Sequence, residues 1–340
     1  MPEVAILVAA YNAAATLPRT LDSLCGQTYR DIQVICIDDC STDTTLSILQ
    51  QRAAQDSRIK VLQTPVNSGQ AVARNLALKH VAAPLVGMVD ADDWLSPDAL
   101  ELAVNVFREH PQTDCCVLRL VNHDAATGHE SDYGMPEALC RGKAVTGRQA
   151  FEWCLDGWRL HGLYITRTEL HRRYPFDDTC RLYSDDNASR LHYLHSREVR
   201  ACTGTYFYYR HPASMTDMSH FSLHHFDIME ANLSLKLTLK KEEIARSILR
   251  RYEVSRWMTF IACYRLYLNH EEELTEQQKA ELAERFRTIL HTFRPSQLPL
   301  RCRWKPGYQL TISLRLFDWQ QRFYITFWEE GIKFFYRKIR

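Results

Sequence analysis

Three carboxylates in four residues, Asp90-Ala91-Asp92-Asp93, directly follow the apolar run Leu85–Val89. So closely spaced, they repel one another and lose hydration unless a cation sits among them. A hard divalent ion such as Mn2+ or Mg2+ suits them, because it takes oxygen ligands and commonly shares them with phosphate. Capping a helix before Pro97 would need one of the three, not all. Two more polar clusters follow apolar runs in the same way. Asp38-Asp39-Cys40-Ser41-Thr42-Asp43 offers acceptors for a base N–H or a ribose hydroxyl, and Asp43 is placed to cap the next helix. Asn67–Asn75 puts Gly69 at a helix start, where a ligand can approach the backbone closely. It puts Arg74 on the second turn, where a guanidinium can pair with phosphate or with a carboxylate of the protein.

Further along, Asp185-Asp186 is either a helix N-terminus satisfied by its dipole or the source of a general base. His211 follows the aromatic run Thr205–Arg210, and is either structural or within reach of a diphosphate or its metal. Trp158 and His161 offer ring faces that suit a sugar, with core packing as the competing use of Trp158. His224-His225 has no carboxylate at a useful spacing and reads as packing or surface. Neither Gly-x-Gly-x-x-Gly nor Gly-Lys-Ser/Thr occurs, so the chain carries no dinucleotide fingerprint and no P-loop.

These clusters need a frame that brings them together. Apolar runs of strand length occur at Val4–Ala10, Ile32–Ile37, Ile59–Gln63, Leu85–Val89 and Cys115–Val121. Between them, Thr16–Leu24, Thr44–Gln55, Gly69–Lys79 and Pro97–Glu109 read as helices. Continuous apolar strands alternating with helices predict a mostly parallel α/β sheet covered on both faces. Right-handed crossovers then align the strand C-termini along one edge, where open α/β sheets bind ligands. Tyr11-Asn12, Asp38–Asp43 and Asp90–Asp93 all fall on that edge. From 126 to 215 the pattern is less regular: a loop over Gly128–Gly142, short helices at Arg148–Leu155, Thr168–Arg173 and Tyr183–Leu194, and a strand at Thr205–Arg210. From about 222 onward it is helical, with Ile244, Ile248 and Tyr252 at four-residue steps and Trp257, Ile261, Tyr264 and Leu268 following.

Taken in order, Val8-Ala9-Ala10-Tyr11-Asn12, the Asp38–Asp43 run, Asn67–Asn75 and Asp90–Asp93 resemble the successive signatures of family 2 glycosyltransferases of the GT-A fold. The resemblance continues through Trp158–Arg173, Tyr183–Asn187 and Tyr206–Thr216, and so covers about the first 215 residues. It implies a GT-A domain over 1–220, with a nucleotide-sugar half (1–125) and an acceptor half (126–220), followed by a helical region over 221–340. It further implies inverting transfer of a hexose-type sugar from a nucleotide sugar, UDP-linked in most relatives, to a hydroxyl of a glycan or glycolipid in bacterial surface polysaccharide or lipopolysaccharide synthesis. Ala9, Tyr11, Asn12 and Asp39 would hold the base and ribose, with Gly69, Arg74, Asp90 and Ala91 near the nucleotide. Asp92, with Asp90, would bind Mn2+ or Mg2+. Asp93, Trp158, His161 and His211 would face the sugars or the metal. The family's usual Glu-Asp pair reads Asp185-Asp186 here, and position in the pair makes Asp186 the base, with Asp185 its rival. A polyprenyl-phosphate glycosyltransferase and a silent scaffold on the same fold are the alternatives. A nucleotidylyltransferase would need a glycine-rich, basic loop after the first strand, and Ala9–Ala15 has none.

Composition limits the rest. The chain has 340 residues, 46% apolar content and a formal charge of +1, which fits a folded protein of about two domains and argues against a nucleic-acid-coating one. The average hides an asymmetry: residues 301–340 carry nine Lys/Arg against three Asp/Glu. In this tail Phe317, Trp319, Phe323, Tyr324, Phe327, Trp328, Phe334, Phe335 and Tyr336 alternate with cations, a pattern that suits an anionic membrane surface. Packing on the chain's own domain and a homodimer contact are the other uses. Eleven scattered cysteines, with no Cys-x-x-Cys pair, read as reduced thiols. With no signal-like N-terminus and no apolar window of membrane-spanning length, the expectation is a cytoplasmic protein, peripheral on the inner membrane's cytoplasmic face.

Overall fold

The computed structural model describes residues 1–155, 157–180, 182–211, 221–300, 302, 307, 309–311 and 313–329. The chain divides into two compact units, Met1–His220 and Phe221–Arg340.

The first unit is built on one sheet in the order β3-β2-β1-β4-β9-β6-β10-β5, where β5 is the two-residue strand Trp94–Leu95 antiparallel to β10. Its parallel half comprises β1 (Val4–Ala10), β2 (Ile32–Asp38), β3 (Ile59–Gln63) and β4 (Leu85–Met88). Alternation along β1 supplies both faces. Val4, Ile6 and Val8 pack with Leu17, Leu21 and Leu24 of α1 (Leu17–Cys25) and with Leu100 and Val104 of α4 (Ala99–Glu109). Ala5 and Leu7 pack with Ala73 and Ala77 of α3 (Gln70–Leu78) on the other side. Because both faces are covered, these strands read as unbroken apolar runs. The fourth helix of this half, α2 (Thr45–Gln55), starts where Asp43 accepts the Thr45 N–H at 2.9 Å, so Asp43 does serve the helix start.

The other half differs from the expected pattern in two ways. A short strand, β9 (Tyr164–Arg167), inserts antiparallel between β4 and the long β6 (Thr113–Asp124). The expected terminal strand is only the end of β10 (Glu198–Arg210), which runs parallel to β6 and breaks register between Ala201 and Thr205. At that break Gly204 passes so close to α4 that a Cβ would lie 2.7 Å from the Ala99 Cα. Within the expected 128–142 loop lie a short strand, Glu130–Asp132, and one helical turn, Glu137–Cys140. The helix carrying the acid pair, α8 (Ser184–Leu194), follows Tyr183, whose φ of +63° makes the sharp entry turn.

The second unit contains α9 (Ile228–Lys241), α10 (Arg246–His270), α11 (Glu276–Leu290) and α12 (Leu314–Phe323). Trp257, Phe260, Phe286, Phe293 and Phe317 form its aromatic core, with Trp257 and Phe260 stacked at 5.5 Å. Ile244 precedes α10 rather than joining its apolar face. Phe317, expected with the basic aromatic tail, is fully buried in this core, whereas Leu316, Trp319 and Phe323 are exposed. Residues 330–340 lie outside the described residues. No described helix is long and apolar enough to cross a membrane, and no disulfide joins the cysteines among the described residues.

Candidate active site

The C-terminal ends of β1, β2 and β4 present the expected loops side by side. The first two are tied together: the Asn12 side-chain oxygen accepts the Thr42 N–H at 2.8 Å, and the Asn12 N–H donates to Ser41 Oγ at 3.0 Å. Tyr11 is about half exposed beside them, and Ala9 packs beneath on β1. Asp39 is buried and already well used. Its Oδ1 accepts from Thr64 Oγ1 at 2.7 Å and from the Ser68 N–H at 3.0 Å, and its Oδ2 accepts from the Gly69 N–H at 2.7 Å. It therefore shapes the loop that opens α3, where Gly69 has a φ of +86° that a side chain would strain.

Arg74 is the link between halves. Its side chain is 2% exposed and ion-paired through Nη2 to Asp90 Oδ1, while Nη1 lies 3.9 Å from Asp185 Oδ2. The guanidinium also sits 5.4 Å from the Phe176 ring centroid. A buried cation between two carboxylates keeps its charge: despite burial, Asp90 and Asp185 hold the Arg74 pKa above its ordinary value. The surface salt bridge that a lone arginine would form is not what occurs here.

The three aspartates of the acidic loop face different ways. Carboxylate oxygens of Asp90, Asp92 and Asp93 lie within 4.8 Å of one another. Asp92 is partly exposed, and its Oδ2 lies 2.9 Å from His211 Nε2. Asp93, expected at a sugar, is turned inward and 1% exposed. Its Oδ2 accepts from the Tyr206 hydroxyl at 2.6 Å and its Oδ1 from the Tyr209 N–H at 2.7 Å. Burial, with the charges of Asp90 and Asp92 beside it, pushes its carboxyl well above the usual range. A cation among the three would reverse that effect. The donor set is carboxylate oxygen with one imidazole nitrogen adjacent, and it fits Mn2+ or Mg2+.

Three residues that sequence reasoning missed hold this loop. The Tyr206 hydroxyl, besides donating to Asp93, accepts the Asp90 N–H at 3.1 Å. Arg19 donates through Nη2 to the Asp92 carbonyl at 2.7 Å. Its guanidinium lies between Trp94 and Tyr209, 4.1 and 3.9 Å from their ring centroids. Thr16 Oγ1 donates to the Ala91 carbonyl at 2.9 Å, and Ala91 itself is buried. These partners lie more than 70 residues from the acidic loop in sequence, so only the fold reveals them.

At the start of α8, Asp186 accepts no hydrogen bond from the described residues. Burial and the nearby Asp185 charge raise its carboxyl from 3.8 to about 7, against the pull of Arg190. Arg190 stacks under Trp158 at 4.2 Å, and the Trp158 carbonyl accepts from the Tyr133 hydroxyl at 2.7 Å. Tyr133, Met135, Glu137, Trp158 and Arg159 line a cleft of about 510 Å³. His161, expected to face a sugar, is instead buried behind this wall. Its ring meets Tyr133 edge-on, and burial lowers its pKa to about 4, so it is a neutral packing residue.

The sheet and its helices have the GT-A architecture. The family described as Glycosyl transferase family 2 matches residues 5–187, and the chain belongs to that family. A chondroitin synthase of Pasteurella multocida is 34% identical over 165 residues, covering 47% of this chain but 17% of that longer protein. Glycosyltransferase GlyG of Streptococcus pneumoniae is 24% identical over 218 residues, covering 62% of this chain and 72% of its own. The crystal structure of S. aureus TarS residues 1–349 in complex with UDP-GlcNAc shares the fold at a TM-score of 0.69 and 19% identity, covering 97% of this chain and 92% of that one.

Proposed function

We propose that the protein is an inverting, metal-dependent glycosyltransferase that moves a hexose-type sugar from a UDP-sugar to a hydroxyl of a glycan or glycolipid in bacterial surface polysaccharide synthesis. One observation supports the reading most: buried Arg74 joins Asp90 of the acidic loop to Asp185 of the acid pair. The UDP part draws support from the UDP-GlcNAc complex of the similar S. aureus protein. The polysaccharide setting draws on the synthases among the relatives.

Asp90 and Asp92 would hold the divalent ion, with His211 beside Asp92. When bound, such an ion supplies positive charge to the diphosphate leaving group. Arg74 adds a fixed cation a few ångströms away, in a setting where no reorganisation is needed as charge develops. Tyr11, Asn12, Asp39 and Gly69 border the base and ribose. Asp186 takes the proton of the attacking hydroxyl, and a carboxyl that titrates near neutrality is well matched to that role. Trp158 offers an aromatic face to the acceptor. A single in-line attack inverts the anomeric centre, so an α-linked donor gives a β-linkage. Peripheral membrane contact belongs to the same proposal, supported by exposed Leu316, Trp319 and Phe323 on α12 together with the basic composition of 301–340.

The test is a panel of UDP-hexoses incubated with the protein in Mn2+ and in EDTA, with UDP release as the readout. Release from at least one donor in Mn2+ that stops in EDTA supports the reading. Absence of both turnover and nucleotide binding would overturn it.

A further inference from the structure

The Asn67–Asn75 cluster closes on a side chain that the transfer chemistry leaves unused. Asn75 follows Arg74 on α3, and its amide pairs with the backbone of Phe176, 101 residues further along. Its Nδ2 donates to the Phe176 carbonyl at 2.8 Å, and its Oδ1 accepts the Phe176 N–H at 3.1 Å. Phe176 is buried yet belongs to no helix or strand, so its backbone groups need partners from outside the ladders. One asparagine amide supplies donor and acceptor together, and the two bonds fix the orientation of the segment as well as its position.

The Phe176 ring then acts on two helices. It packs against Ala71 of α3 and Ala188 of α8, with Met88 of β4 beside them. Ala71 lies on the turn before Arg74, and Ala188 on the turn that follows Asp185 and Asp186. The Arg74 guanidinium lies 5.4 Å from the ring centroid, and the His171 ring meets it edge-on at 4.8 Å. From α8, His192 Nε2 donates to the Tyr174 carbonyl at 2.7 Å. The stretch 174–176 is therefore tied to α8 by His192 and to α3 by Asn75. Between those two helices runs the narrow gap of the site, 3.9 Å from Arg74 Nη1 to Asp185 Oδ2.

We propose that Asn75 is a positioning residue, which acts through Phe176 to hold the acid pair Asp185–Asp186 at its working distance from Arg74 and the donor. The inference rests on the reading of that pair as the source of the base. In-line attack tolerates little error in this distance, since a misplacement of about 1 Å costs a reaction about 10²-fold. At position 75, leucine would lack both polar groups, and glutamine would carry both on a stem one methylene longer. Glutamine therefore separates two uses of the side chain. It can satisfy the buried backbone of Phe176, but only from a displaced position.

The experiment compares full-length wild type with Asn75→Leu and Asn75→Gln, and thermal melting verifies which variants fold. Crystal structures read the gap between Arg74 and Asp185. Initial rates of UDP release from the UDP-hexose that turns over read kcat, and calorimetry with UDP and Mn2+ reads the nucleotide site. Both variants should widen the gap by about 1 Å and lose about 10²-fold in kcat, with the Kd for UDP within about threefold of wild type. Asn75→Gln should recover melting temperature over Asn75→Leu without recovering kcat, and it carries the test alone if the leucine protein does not fold. An unchanged gap overturns the proposal, even if no UDP-hexose turns over. It is also overturned if kcat is unchanged, if glutamine restores kcat, or if UDP affinity falls in step with kcat. Wild-type turnover in both Asp185→Asn and Asp186→Asn would defeat the acid-pair reading instead, while the gap still reports whether Asn75 positions α8.

Discussion

Replacing Asp186 by asparagine tests its proposed role as the general base separately from its cost to the fold. Its carboxyl is raised from 3.8 to about 7, first by burial and then by the charge of Asp185. The folded protein therefore holds this proton more tightly than the unfolded chain does. Rising pH between about 4 and about 7 withdraws stability, because the folded state must ionise an ill-solvated group. At full effect a displacement of that size corresponds to about 4 kcal/mol. Asp186 is only partly buried by its surface area and keeps some of its water, so about 1–2 kcal/mol is the expected scale. Asparagine cannot ionise. Asp186→Asn should accordingly melt higher than wild type at pH 8, and the gain should vanish near pH 4. In the same variant, transfer should fall about 10²–10⁴-fold, the usual contribution of a general base, with donor affinity nearly unchanged. The assays are thermal melts from pH 4 to 8 and initial rates with donor titration at pH 8. Wild-type turnover should rise with pH through about 7. If Asp186→Asn keeps its activity while Asp185→Asn loses it, the base is one residue off. If the pH 8 melt shows no gain, the environment described for Asp186 is wrong.

Other outcomes follow from the same contacts. Arg74→Met leaves the partly exposed Asp90 and Asp185 side by side without their shared cation and should cost about 1–3 kcal/mol, whereas Arg74→Lys should fold but bind nucleotide more weakly; urea unfolding and UDP calorimetry read the two effects. Tyr206→Phe removes the hydroxyl that ties the Asp93 carboxylate to the Asp90 N–H, and should lose about 1–3 kcal/mol of stability together with Mn2+-dependent UDP affinity. Arg19→Lys keeps the charge but loses the flat stack between Trp94 and Tyr209, so it should raise the Mn2+ concentration for half-maximal activity and leave turnover at saturating metal nearly intact.

Much of the parallel half of the sheet is legible in the sequence. Strands β1 to β4 are buried on both faces and show as apolar runs, and their C-terminal polar clusters must then converge. The central β9 was not legible: it has four residues, it runs antiparallel, and its neighbours in the sheet are far away in sequence. The first part of β10 was masked by the polar, glycine-containing break near Gly204. Within the acidic loop, sequence treats three aspartates alike. Only the fold distinguishes Asp92, open beside His211, from Asp93, committed to Tyr206 and the Tyr209 backbone. Likewise nothing in its sequence context separates Phe317, which fills the second core, from exposed Trp319 two residues on.

The account rests on a cation held between Asp90 and Asp92 with a nucleotide diphosphate against it. A crystal grown with UDP and Mn2+ tests this directly through the manganese anomalous signal. The account predicts one strong peak within coordination distance of Asp92, bridging to the diphosphate, and no peak in the Asp92→Asn protein. UDP bound elsewhere, or a wild-type map without manganese at the acidic loop, would contradict it.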